Sequence, residues 1–203
     1  MRKITILEHM SLDGVIQAPG GPEEDLDGGF EYGGWSAPFA EAAIGNKVLE
    51  IHAQPFDLLL GRRTYDIWAA YWPFAKGNIG DGINKATKYV ATHRPDSLAW
   101  GPVAWIGADM VEGISKIKEG DGLPLLVWGS SALTPVLLEH GLADEVILFI
   151  YPILLGKGKR MSSEGYSPRE LTLLSSQMTP SGVAINTYRP AGRVRTGSYA
   201  GND

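Results

Sequence analysis

Short apolar runs separated by polar, glycine-rich punctuation dominate the chain, and two periodicities sort them into strands and helices. Lys3–Leu7 alternates and carries β-branched residues, which predicts a first strand, with a turn at Ser11-Leu12-Asp13-Gly14 after it. Asp57–Gly61 (DLLLG) is apolar on both faces, the pattern of a strand buried between two layers. Lys88–Thr92, Val103–Ile106 and Leu125–Trp128 predict three more short strands, and Asp144–Leu155 a long one. Leu171–Ser176 and Val183–Arg189 read as a closing antiparallel pair. Between these runs the period lengthens. Phe39, Ala43, Ile44, Val48 and Ile51 recur at helical spacing, with Ser36 as the N-cap, Pro38 just inside and Pro55 beyond an end near Ala53. Arg63–Ala70, Met110–Lys118 and a segment from Ser131 to about His140, stopped by Gly141, predict further helices.

Strands alternating with helices, then consecutive strands, predict an α/β fold: a mixed, mostly parallel sheet with helices on both faces. No repeat or linker divides residues 1–190, which are expected to form one domain, with residues 191–203 a frayed tail. Pro19–Gly34 is a long connection of the kind found as a lid or as disorder. Its acidic residues Glu23, Glu24, Asp25, Asp27 and Glu31 read as a solvated face.

Composition narrows the function. At 203 residues, 44% hydrophobic and 20% charged, the chain can bury a full core. A net charge of −5 with no basic stripe argues against a nucleic-acid partner. The absence of cysteine excludes disulfides and thiolate chemistry, and the four scattered histidines show no metal-site spacing. The longest apolar run, Val146–Leu155, is half the ~20 residues a membrane helix needs, and charges come too early for a signal peptide. The expectation is a cytoplasmic protein without a membrane partner.

Three strand ends share one design, an apolar strand followed by small or basic residues: Gly61-Arg62-Arg63-Thr64, Thr92-His93-Arg94 and Gly129-Ser130-Ser131-Ala132. Ligands of open α/β sheets collect beyond such ends, where glycine admits close approach and free amides face phosphate. The G-x-G-x-x-G fingerprint and the phosphate loop are both absent, so a dinucleotide would need another scaffold.

Three stretches, SLDG (Ser11–Gly14), LLLGRRTYD (Leu58–Asp66) and VWGSSALTPVLLEHGLADEVILFIYPILLGKGK (Val127–Lys159), together resemble the dihydrofolate reductase-like family. They are most similar to the reductase domain of the bifunctional riboflavin-biosynthesis deaminase/reductase and its stand-alone relatives. The resemblance implies a three-layer fold around an eight-stranded mixed sheet, with NADPH as hydride donor. It implies that Gly61, Arg62, Arg63 and Thr64 meet the cofactor phosphates and that Thr92, His93 and Arg94 meet the 2′-phosphate. Gly129, Ser130, Ser131 and Ala132 would lie beside the pyrophosphate and nicotinamide, with Ser130 standing where the family has a second glycine.

Reduction also needs a proton. Asp13, in its turn after the first strand, is the first candidate donor, and an Asp that merely satisfies its own turn is the equal alternative. Glu41 and Glu50 on the first helix fit no pterin-binding motif. Tyr65, Trp68 and Trp72 could stack on a flat substrate or belong to the core. His9 and His93 could serve as acids or cofactor contacts, and His52 and His140 read as surface or helix-end residues. The expected function is an NADPH-dependent reductase of a small polar heterocycle or carbonyl compound, pterin-like or ribosylaminopyrimidine-like. The alternative is an NADPH-binding protein without catalysis. A homodimer is expected, paired through Val146–Leu155.

Overall fold

The computed structural model describes residues 1–162 and 167–199. Its strands are β1 (Ile4–Ser11), β2 (Asp57–Gly61), β3 (Lys88–Ala91), β4 (Val103–Trp105), β5 (Leu125–Trp128), β6 (Glu145–Tyr151), β7 (Arg169–Met178) and β8 (Ala184–Arg193). They form one eight-stranded sheet in the order β4-β3-β2-β5-β1-β6-β8-β7. All neighbours are parallel except at β8, which runs antiparallel to β6 and β7.

Helices α1 (Ala42–Ile51), α2 (Arg62–Tyr71) and α3 (Asn78–Lys85) cover one face, and α4 (Met110–Glu119) and α5 (Leu133–Glu139) the other. The apolar run of β2 shows why. Successive side chains alternate sides, so Leu58 and Leu60 enter the core with Ile44, Tyr65 and Ile83. Leu59 enters the second core with Ile114, Leu133 and Leu137. All three leucines are fully buried, so the middle of the strand must be apolar on both faces. A buried ion pair between Arg2 and Asp57 ties the N-terminus to β2, with Arg2 lying over Tyr89.

Several boundaries differ from the sequence reading. Ser36 does not cap a helix; its hydroxyl donates to the Pro19 carbonyl at 2.7 Å, and Ala37–Phe39 forms a single 3-10 turn. The chain is extended at Ala40 before α1 begins. Helix α3 was not predicted, because two glycines dilute its pattern. Gly80 is needed there, since a Cβ would sit 2.8 Å from the Ala75 carbonyl oxygen. Strand β6 ends at Tyr151, where Pro152 brings no N–H to the ladder. Strand β8 continues to Arg193, beyond the start expected for a frayed tail; residues 200–203 lie outside the described residues.

Two further expectations are overturned. Strand β6 is hydrogen-bonded on both edges, to β1 and to β8, so it has no edge with which to pair a second copy. In the stretch 19–34, Glu23, Asp27 and Glu31 are exposed as expected; Phe30 is buried, and so is Asp25, which was expected to be solvated. Its carboxylate takes Arg63 at 3.0 Å and Lys159 at 2.8 Å, and that pairing is what makes burial of the charge tolerable.

Candidate active site

Strands β2, β5 and β1 lie side by side, and beyond their carboxyl ends opens a cleft of about 580 Å³. Gly61 through Thr64 and Gly129 through Ala132 both line it. The two segments touch: a Cβ on Gly61 would meet the Ser130 hydroxyl at 2.6 Å, and one on Gly129 the Thr64 hydroxyl at 3.6 Å. Gly129 also has φ +67°, in the left-handed region that favours glycine. Gly61 stands at the N-terminus of α2 with no side chain capping the first turn, so its free amides face the cleft mouth.

Arg62 is held in place. Its Nε donates to both Asp66 oxygens at 2.9 Å, and another nitrogen donates to the Arg94 carbonyl at 3.0 Å and the Ser97 hydroxyl at 2.6 Å. The Arg94 guanidinium lies 3.6 Å from Asp66. Arg62, Arg94 and Ser130, expected from three separate strand ends, therefore share one edge of the sheet. Thr92, His93 and Arg94 stand beside the cleft and outside its lining: Thr92 is buried, its hydroxyl accepting from the Arg94 amide, and the other two are exposed.

The other end of the cleft is aromatic and apolar. Trp68 and Trp72 line it, as the sequence suggested, but Tyr65 does not. Tyr65 is 2% exposed in the core, its hydroxyl accepting from the Trp100 amide at 2.6 Å, which removes it from the substrate contacts. The residues facing the two tryptophans come from β1, β5 and the end of α1. His9 stacks on Phe149 (4.9 Å) and Trp128 (5.6 Å), and Trp128 stacks in turn on His52 (5.7 Å). His52 ends α1 as expected, yet it lines the cleft. Its Nδ1–H donates to the Val48 carbonyl at 2.8 Å and its Nε2 accepts from the Trp128 indole at 3.3 Å. These two bonds require the neutral tautomer, in accord with burial lowering its pKa. His9 was already a candidate in the sequence, and Trp128, directly before Gly129, was the other available signal for this wall.

Asp13 is not arranged as a proton donor. Its oxygens accept from the Ser11 hydroxyl at 2.6 Å and from the amides of Leu155 and Gly156 at 3.1 and 2.8 Å, with Arg160 at 3.4 Å. These bonds, the Ser11 one foremost, hold its pKa down at about 2, and the residue lies outside the cleft lining. Asp13 ties the end of β1 to the segment after β6. Glu41 receives the Ser181 hydroxyl and amide, and Glu50 pairs with Lys47, so neither enters the cleft.

Two ionisable residues of β1 do enter it. Glu8 is 2% exposed and accepts from the Thr134 hydroxyl at 2.8 Å; burial pushes its pKa up to about 8. His9 shares a 2.7 Å hydrogen bond between Nδ1 and the Tyr151 hydroxyl, and burial pushes its pKa down to about 4. Both are neutral near pH 7, one as an acid and one as a base.

The model of one protein family, described as the RibD C-terminal domain, matches residues 2–185. The chain belongs to the RibD C-terminal domain family. Among solved structures, this family member is similar to the deaminase/5-amino-6-(5-phosphoribosylamino)uracil reductase of Thermotoga maritima, at 16% identity and TM-score 0.63. That match covers 94% of this chain and 57% of the longer one. It is also similar to the dihydrofolate reductase of Enterococcus faecalis, solved with NADP(H), at 14% identity and TM-score 0.58, over 93% of this chain and 96% of that one. The uncharacterized protein YyaP of Bacillus subtilis is 24% identical over 136 residues, 64% of this chain and 72% of its own. The RibD C-terminal chain thus has the dihydrofolate reductase-like α/β fold expected of it. Among the described residues no helix is long and apolar enough to cross a membrane, and no cluster of metal-ligating side chains occurs.

Proposed function

We propose that this protein is a cytoplasmic NADPH-dependent reductase of a small unsaturated compound. The observation that carries the reading is the convergence of Gly61 and Ser130 beneath the uncapped first turn of α2, with Arg62 clamped beside them. A Cβ on Gly61 would collide with Ser130, so the two segments approach as closely as glycine allows, and the donors that flank them suit a pyrophosphate. Gly61, Arg62, Arg63, Thr64, Ser130, Ser131 and Ala132 would hold the dinucleotide's phosphates, and exposed Arg94, with Thr92 and His93, its 2′-phosphate. When bound, the cofactor supplies a hydride. Gly129 and His9 would border the reacting end, where Trp68 and Trp72 hold the substrate.

The proton falls to the His9–Tyr151 pair in place of Asp13. A neutral imidazole hydrogen-bonded to a tyrosine hydroxyl can pass a proton to the reacting atom while the tyrosine resets it. Titration with NADPH, read by nicotinamide fluorescence, should saturate in the micromolar range, with NADH weaker. No saturable binding at about 100 μM, a weak affinity on the free-energy scale, would remove the reading. A homodimer would form through β7, one of the two edge strands of the sheet, where Leu171, Leu173, Leu174 and Met178 are exposed. Sedimentation of the wild type against Leu173→Lys tests it, a monomeric wild type removing the dimer alone.

A further inference from the structure

Resting on the reductase reading above, we propose that the substrate end of the cleft takes an uncharged, flat carbonyl compound and rejects anionic, phosphate-bearing ones. The walls are Val48, Trp68, Trp72, Ile79, Trp128 and His52. Among the described residues, every cation lining the cleft already faces a carboxylate. Arg62 is met by Asp66, Arg63 by Asp25, and Lys159 by Asp25 and Asp27. The carboxylates are engaged as well. Glu24 accepts from the amides of Gly20 and Gly21, Asp25 holds two cations, and Glu8 takes the Thr134 hydroxyl on the α5 side of the sheet. His52 uses both ring nitrogens in its neutral form.

The walls at this end carry no cation, Arg62 and Arg63 stand by the first turn of α2 at the phosphate end, and Lys159 is held by Asp25 and Asp27, so a charged substrate seated here would lose water and gain no counter-charge. A phosphoribosyl group, such as the name of the Thermotoga reductase records for its substrate, would meet that penalty. An amino-heterocycle that needs a free carboxylate would find none. At this end the polar groups left over are the indole N–H groups of Trp68 and Trp72 and Nε2 of His9, none bonded to another described residue. Indole N–H groups donate only, so they suit a carbonyl oxygen, and aromatic walls suit a flat body. In the step, the carbonyl carbon gains a hydride from the bound dinucleotide and the C=O π pair moves to oxygen. That oxygen takes one proton, giving an alcohol and the oxidised dinucleotide.

The test uses a matched pair, 4-nitrobenzaldehyde and 4-carboxybenzaldehyde, with NADPH binding measured first. Absent NADPH binding ends the reductase reading. With binding present, kcat/KM for the neutral aldehyde should exceed that for the anionic one at least ~30-fold, about 2 kcal/mol. Equal or reversed preference, or turnover of the phosphoribosylaminouracil, overturns the inference and leaves the reductase intact. If neither aldehyde oxidises NADPH, quenching of tryptophan fluorescence decides: quenching by the neutral aldehyde alone supports the inference, and quenching by neither or by both overturns it. Val48→Lys should narrow or invert the preference and Val48→Leu should keep it. The wild-type comparison stands whether or not the lysine variant folds.

Discussion

The two ends of the cleft solve different problems with different chemistry. The end built on β2 and β5 is made of glycine, serine, arginine and free backbone amides, all within a few residues of two strand termini. The other end is made of tryptophan, histidine and aliphatic side chains gathered from β1, α1, α2, α3 and β5. Backbone donors bind a charged group wherever it comes from, so the first end needs only close approach. An apolar slot has selectivity only through its shape and through which charges are already paired, so the second end needs the whole tertiary arrangement.

That division can be broken by substitution. Gly61→Val should have the largest effect, weakening NADPH at least ~100-fold, about 2.7 kcal/mol, because its branches fall on the Ser130 side chain. Isothermal titration measures the loss, and Gly61→Ala should be partly rescued by Ser130→Gly if that contact is the cause. Arg62→Ala should cost about tenfold in NADPH affinity, the range of one charge-assisted hydrogen bond, with KM for the carbonyl substrate unmoved. Trp68→Ala should do the converse, raising KM several-fold and leaving NADPH binding alone. Movement of both constants in either variant would erase the distinction between the ends.

The pH dependence sharpens it further. Burial holds Glu8 protonated up to about pH 8, whereas the unfolded chain ionises it near 4.5. Its contribution is therefore complete below about pH 4.5 and is lost as pH rises to 8. Urea unfolding at pH 5 and at pH 8.5 should show that loss, and Glu8→Gln, which can still accept from Thr134, should flatten it. A variant with the same slope as the wild type would assign the loss elsewhere. Asp13→Asn should do least. It weakens the bonds to Leu155, Gly156 and Arg160, at about 1 kcal/mol of stability, and leaves the pH–rate profile unshifted. A displaced acid limb in that profile would return Asp13 to the chemistry.

Much of the fold was legible because its signals are local. DLLLG could only be a strand buried on both faces, and Gly141 marks the end of α5 where it stands. The strand ends at Gly61 and Gly129 were legible for the same reason. Helix α3 was hidden because Gly80 and Gly82 serve packing against Ala75 and Phe56, at the expense of helical pattern. Asp25 was misread because one acidic residue among several in a polar loop shows nothing of the Lys159 that will neutralise it from far along the chain. Tyr65 and Trp68 carry the same aromatic signal, and only the Trp100 segment covering Tyr65 sends one to the core and leaves the other in the cleft.

By itself the amino-acid order determined the alternation of strands and helices, the layers it demands, and the glycine-rich ends where phosphate can approach, since each depends on neighbours along the chain. Tertiary structure alone decided that Asp13 is a tie between two strand ends, that His9, Trp128 and His52 form one wall, and that the cleft's charges arrive already paired. Those outcomes depend on distant groups meeting at hydrogen-bond distance, Asp13 with Gly156, His9 with Tyr151 and Lys159 with Asp25 across more than a hundred residues and Trp128 with His52 across 76, and burial then sets which of them keep their charge.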